Sequence, residues 1–268
     1  MQLSRASRVS SVPISRRQKA RRDGDWVRKM FADRGCDRTP PSARSAATVL
    51  FAPYSRDVET TNRCAAILTE PELKRAARFL CQDAKVNFVQ RRAFRRYCGA
   101  VALQARRAIS EVAFSETAKG RPYLSDLPSI SFSFSSCRFG FVGAWSSTHE
   151  IGVDIEDMTR DIEAAELAER FFTNAESNAV QRVAGQARLR TFYQFWSLKE
   201  ASLKSIGEGL PFGLDTYEFE LAPNPRVVHA PREYGEPAQF DAHLIEGAHS
   251  CGALVIRGTP TLPPPVSR

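Results

Sequence analysis

Long apolar runs are missing from this sequence: nowhere do about 18 uncharged apolar residues follow one another, so no segment has the length of a membrane-spanning helix. The basic start of the chain is likewise not followed by the apolar stretch of a secretory signal. Histidine is scarce, with four in 268 residues, and the six cysteines (Cys36, Cys64, Cys81, Cys98, Cys137, Cys251) contain no CxxC pair. That spacing suits neither a zinc site nor a disulfide framework, and predicts reduced thiols in a cytoplasmic protein with no membrane contact. An acidic balance is absent as well: 38 Lys and Arg stand against 30 Asp and Glu, a net charge of +8. The whole excess sits in residues 1–44, which hold 12 basic and four acidic side chains, while the remainder has 26 of each. The chain is 43% apolar and 25% charged, which allows one large core or two small ones.

Residues 1–44, rich in Arg, Ser and Pro with little apolar periodicity, read as a basic flexible tail. The same composition is compatible with a targeting segment, with a nucleic-acid anchor, or with a start at Met30. Order is expected from the apolar run Thr48–Ala52. Thr69 then reads as a helix N-cap, with Pro71 in the first turn and Glu72 completing a capping box. A long basic helix is expected over 83–109, and Pro122 and Pro128 read as loops. Ile130–Ser136 alternates in the period of a half-buried strand, 139–145 pairs with it, and Glu150–Glu156 is a third strand. Helices are expected across 161–171, 174–184 and 188–206, the last stopped by Gly207 and Gly209, and short strands near 216–221, 239–245 and 251–256. Strand, helices, strands thus occurs twice. It predicts an α+β fold of two similar α/β subdomains related by a pseudo-two-fold, 45–149 and 150–257, followed by a Pro-rich tail over 258–268.

Side chains two apart in a strand point the same way, so Asp154 and Glu156 share a face opposite Val153 and Ile155. Either water satisfies this carboxylate pair, or it holds a hard, oxygen-liganded cation such as Mg²⁺. On the helix Thr191–Ile206, Phe192, Phe195, Trp196, Leu203 and Ile206 form one apolar stripe, flanked by Glu200 and Lys204 four residues apart. Lys199 falls inside the stripe, where a charge needs a buried anion as partner.

Ile151-Gly152-Val153-Asp154-Ile155-Glu156, followed some forty residues later by Trp196-Ser197-Leu198-Lys199-Glu200-Ala201-Ser202-Leu203-Lys204, resembles the two-part signature of 4′-phosphopantetheinyl transferases of the longer, pseudo-dimeric Sfp type. Lys119-Gly120-Arg121-Pro122, Arg170-Phe171-Phe172 with Glu176, Arg78-Phe79 and the 83–96 stretch extend the likeness over about residues 47–256. The resemblance implies an active site between the halves and transfer of phosphopantetheine from coenzyme A to a serine of an apo acyl or peptidyl carrier protein. It implies Asp154, Glu156 and Glu200 as Mg²⁺ ligands, Glu200 also as base, and Lys204 against the coenzyme A phosphates. Lys199 is expected to support the anionic cluster and the cofactor. Arg78, Lys85, Arg121, Ser133 and Ser135 are expected as further coenzyme A contacts. The chain departs from the pattern at Phe134, where relatives commonly carry a histidine that reaches the 3′-phosphate; either Arg138 nearby compensates or recognition of that phosphate is weaker in this chain. The arginines of Gln90–Arg96 cover more than one helix face and read mostly as solvated. A monomer is expected. Two other readings are a coenzyme A-binding relative without catalysis and a nucleic-acid binder acting through the tail. Against the latter, the neutral remainder does not interleave aromatics with basics.

Overall fold

The computed structural model describes residues 40, 43, 46–104, 106–208 and 212–258. The expected basic tail and the Pro-rich end lie outside these residues except for Pro40, Ala43 and Gly258.

The first half opens with β1 (Thr48–Pro53) and continues through α1 (Val58–Ala65), α2 (Glu70–Ala76) and the long α3 (Gln82–Ala102). A small hairpin, β2 (Phe114–Glu116) and β3 (Pro122–Leu124), precedes a larger one, β4 (Ser131–Cys137) and β5 (Gly140–Ser146). The second half repeats the order: β6 (Glu150–Asp157), α4 (Ala164–Phe171), α5 (Asn174–Gln181), the long α6 (Gly185–Ser205), a small hairpin β7 (Glu218–Glu220) and β8 (Arg226–His229), then β9 (Phe240–Glu246) and β10 (Ser250–Arg257). Each half builds a three-stranded antiparallel sheet in which its last strand lies in the middle, β1-β5-β4 and β6-β10-β9. The long helix of each half has 21 residues. The fold is α+β with an internal repeat.

Local chemistry accounts for most boundaries. Glu72 accepts from the Thr69 N–H at 2.9 Å and from its hydroxyl at 3.0 Å, closing the first turn of α2 as its spacing suggested. Gly207 has a φ of 73°, which ends α6 where expected, and the N–H of Glu208 returns to the Leu203 carbonyl at 2.9 Å. The long helix of the first half stops at Ala102 rather than near 109, because Gln104 turns the chain with a φ of 52° and Ile109 lies in a separate short 3₁₀ turn. Pro122 begins β3 instead of a loop, at the edge of a two-stranded sheet where its missing N–H is tolerated. Helix α1 and strand β8 were not expected.

One buried cluster fills each half, and a third joins them. Val49, Val142, Ala144, Ile151, Val153, Leu254 and Ile256 pack together from both sheets. The alternating serines of β4 serve the same seam. The hydroxyl of Ser131 accepts from the Ile151 N–H at 3.1 Å and that of Ser133 from the Val153 N–H at 3.0 Å, so side chains of one sheet satisfy the edge backbone of the other. No helix among the described residues is long and apolar enough to cross a membrane.

Candidate active site

The seam is also where the chemistry-bearing residues meet. On β6 the face that carries Gly152, Asp154 and Glu156 turns towards α6, while Ile151, Val153 and Ile155 enter the shared core. A Cβ at Gly152 would lie 1.8 Å from the Ala201 carbonyl oxygen and 2.6 Å from the Ser205 nitrogen. Only glycine lets the helix backbone cross the strand this closely. The close approach puts Lys204, three residues beyond Ala201, onto Asp154: the ammonium donates to Oδ1 at 2.6 Å. Ser135, from the first half, donates to the same oxygen at 2.8 Å.

The carboxylates around this contact are short of compensation. Asp154 is buried, and its Oδ2 has no hydrogen-bond partner. Burial pushes the Glu156 carboxyl up to about 7, Asp154 and Glu200 adding repulsion and Lys204 opposing. Burial also raises Glu200, again opposed by Lys204 and reinforced by Asp154. Among the described residues no three His, Cys, Asp or Glu side chains already close round a point that would hold a metal ion. The chemistry of the set nevertheless suits a hard cation: an orphaned carboxylate oxygen, with two more carboxylates disfavoured in their charged form by burial and by neighbouring negative charge, is relieved by positive charge at that place.

The remaining expected residues divide. Arg121 bridges the halves, donating through Nη2 to Ser131 Oγ at 2.5 Å and pairing with Glu150; beside it Lys119 pairs with Glu208. Both cations of the Lys119–Pro122 stretch thus reach across to the second half. Ser133 is buried with its hydroxyl on Val153, so it belongs to the seam rather than to a ligand contact. Arg78 is exposed after α2, and Lys85 is half-buried in the first turn of α3. Lys199 requires a correction. It is fully buried, as its place in the apolar stripe suggested, but it does not support Asp154, Glu156 or Glu200. Its ammonium donates to Glu176 Oε2 at 2.6 Å and to the carbonyls of Leu214 and Tyr217 at 2.8 and 2.5 Å, above the Phe172 ring. Glu176 in turn accepts from the Phe219 N–H at 2.9 Å and the Thr173 N–H at 3.0 Å. This satisfied pair locks α5 and the 214–219 segment to the far side of α6. Arg138 pairs with Asp157 at 3.5 Å and lies over Phe139, leaving Phe134 to a different arginine, Arg95.

Residues 150–254 match the sequence model of the 4′-phosphopantetheinyl transferase superfamily. The 4′-phosphopantetheinyl transferase ffp of Bacillus subtilis is 30% identical over 148 residues, 55% of this chain and 65% of that protein. A putative 4′-phosphopantetheinyl transferase of a Synechocystis species is 32% identical over 56% of this chain and 61% of its own length. The L-aminoadipate-semialdehyde dehydrogenase-phosphopantetheinyl transferase of Xenopus laevis is 31% identical over 60% and 56%. The matched regions therefore span between about half and two thirds of these curated relatives. A crystal structure of a holo-(acyl-carrier-protein) synthase from Bacillus anthracis aligns with a TM-score of 0.35 and 20% identity, over 42% of this chain and 99% of that one.

Proposed function

We propose that the protein transfers the 4′-phosphopantetheine group of coenzyme A to a serine hydroxyl of an apo acyl or peptidyl carrier protein, releasing adenosine 3′,5′-bisphosphate. The observation that carries the reading is the convergence, at the seam of the two halves, of Asp154 and Glu156 from β6 with Glu200 and Lys204 from α6. In this reaction the serine oxygen bonds to the phosphorus that bears pantetheine, the pyrophosphate P–O bond breaks, and the serine proton must be taken up. Glu200 is assigned that proton. Lys204 is free to exchange its contact with Asp154 for one with a pyrophosphate oxygen, since its side chain is 28% exposed and only its head group is held. Ser135 keeps Asp154 oriented from the opposite side while that exchange occurs.

Asp154, Glu156 and Glu200 are the residues that would hold Mg²⁺, whose charge, when bound, offsets that of the pyrophosphate and of the leaving bisphosphate. The reading carries with it a monomer acting in the cytoplasm, supported by the fact that one chain already brings two α+β halves together. Incubation with coenzyme A, Mg²⁺ and a panel of apo carrier proteins, with the mass of each carrier read afterwards, tests it. At least one carrier is expected to gain one phosphopantetheine. A panel spanning fatty-acid, polyketide and peptide carriers that stays entirely unmodified would contradict the assignment.

A further inference from the structure

Helix α6 carries one more polar group on the flank that supplies Glu200 and Lys204. Tyr193 precedes Glu200 by seven residues and Lys204 by eleven, so at about 100° per residue the three side chains leave the helix within about 40° of one another. The phenol ring packs in the core of the second half, edge-on to Phe192 at 5.4 Å, and Tyr193 is 3% exposed. Its hydroxyl is buried without a partner. A buried phenol ordinarily finds one, because leaving the group unbonded costs its desolvation.

The register of β6 against α6 shows what lies opposite. Gly152 touches Ala201. Eight residues back along the helix, a rise of about 12 Å, is Tyr193; four residues on along the strand, about 13 Å, is Glu156, on the same face as Gly152. The charges around the phenol agree with this level. Burial pushes the phenol up, then Arg160 lowers it while Glu156 and Asp157 raise it, all three from the far end of β6 and the turn after it. Ser197, one turn further along α6, is occupied with the Cys251 carbonyl at 3.3 Å. Asp154 is oriented by Ser135 and Lys204, whereas among the described residues Glu156 receives no hydrogen bond. A carboxyl group without an orienting donor and a buried donor without an acceptor thus stand at one level on facing elements.

We propose that Tyr193 is a positioning residue for Glu156: its hydroxyl donates to one carboxylate oxygen and leaves the other turned to the space between β6 and α6. Glu156 is half-buried, so its side chain has room to turn to the hydroxyl. Resting on the function proposed above, that space is where Mg²⁺ would be held, and the hydrogen bond fixes the rotamer in which Glu156 faces it. Carboxylates that ligate a metal are themselves held by outer hydrogen bonds, and loss of such a partner weakens metal binding by roughly 10- to 100-fold.

Titration of the full chain with Mn²⁺ alone, reading the free ion by electron paramagnetic resonance, tests this without turnover. Tyr193→Phe is expected to bind Mn²⁺ roughly 10-fold more weakly than wild type. The Tm of the metal-free protein should hold or rise, because the substitution removes only a hydroxyl that has no partner there. In the Glu156→Ala background the same substitution should cost nothing further. Unchanged Mn²⁺ affinity in Tyr193→Phe, a fall of more than a few degrees in its metal-free Tm, or a loss that adds in full to that of Glu156→Ala each overturns the proposal, as does a wild type that takes up no Mn²⁺. Where a carrier is modified, the Mg²⁺ concentration for half-maximal turnover should rise in Tyr193→Phe with kcat at saturating Mg²⁺ held within a few-fold; a fall in kcat with that concentration unchanged contradicts the assignment. Failure to modify any carrier counts against the transferase reading alone, because Mn²⁺ binding still decides the role of Tyr193.

Discussion

A lysine with no solvent exposure is the most demanding side chain in this protein. Burial lowers the Lys199 ammonium and raises the Glu176 carboxyl, each opposed by the other's charge, while the ammonium meets three acceptors, Glu176 and the carbonyls of Leu214 and Tyr217, and Glu176 accepts from the Phe219 N–H. Removing one partner leaves the other as an uncompensated buried charge. Lys199→Met is therefore expected to cost about 3–5 kcal/mol in urea-induced unfolding. Adding Glu176→Gln, which keeps an acceptor for the Phe219 N–H, should restore part of the loss. A double variant as unstable as the single one would show that the pair is not what holds this region. The need for a buried anion was legible from the position of Lys199 in an apolar stripe. Its partner was not assigned, because Glu176 lies 23 residues earlier on another helix and only packing brings the two together.

Among the elements, β6 and α6 carry the proposed site, and Gly152 sets their separation. Gly152→Ala has no room to be absorbed by a side-chain shift, since both of its nearest contacts are backbone atoms of α6. The expected outcome is a destabilisation of about 1–3 kcal/mol with a disproportionate fall in kcat, as the helix that carries Glu200 and Lys204 is pushed away. A Tm and a kcat both within error of wild type would contradict this placing of the helix.

Helices α2 and α3 give the counterpart at low pH. Burial acts to raise Glu72, but its bonds to Thr69 and Arg96 outweigh that and hold its carboxyl below the ordinary 4.5. A depressed folded value contributes stability that is present above about 4.5 and is lost as the pH falls through the folded value. The Tm gap between wild type and Glu72→Gln should accordingly be widest above pH 5 and close towards pH 3; a gap independent of pH would refute the assignment. The capping box of α2 was readable from four residues, being local. The second use of Glu72, on Arg96, is 24 residues away and was not.

Across the whole molecule the repeat is the organising feature, and it was visible as strand, helices, strands occurring twice. What joins the copies was concealed. Ser131, Ser133 and Ser135 alternate with Ile130, Phe132 and Phe134 in a pattern identical to that of a strand with one wet face, yet the serines meet the edge of the other sheet and hold Asp154. Short pieces such as α1 and β8 carry too little periodicity to announce themselves, and the contacts of Arg75 and Arg95 depend on rings contributed by two different elements, Phe88 of α3 and Phe134 of β4. The placing of Asp154 beside Glu156 on one face of β6, and of Glu200 beside Lys204 on α6, was legible because the strand and helix periods fix which side chains are neighbours.

Release of adenosine 3′,5′-bisphosphate from coenzyme A, measured in the presence of a responsive apo carrier for wild type and Asp154→Asn at saturating coenzyme A, probes that seam most directly. Loss of turnover on the order of 100-fold or more is expected, with Tm unchanged within a few degrees, because the substitution removes the charge and keeps the oxygen that Ser135 and Lys204 contact. Release within a few-fold of wild type by a folded Asp154→Asn variant would place the reaction somewhere other than between β6 and α6.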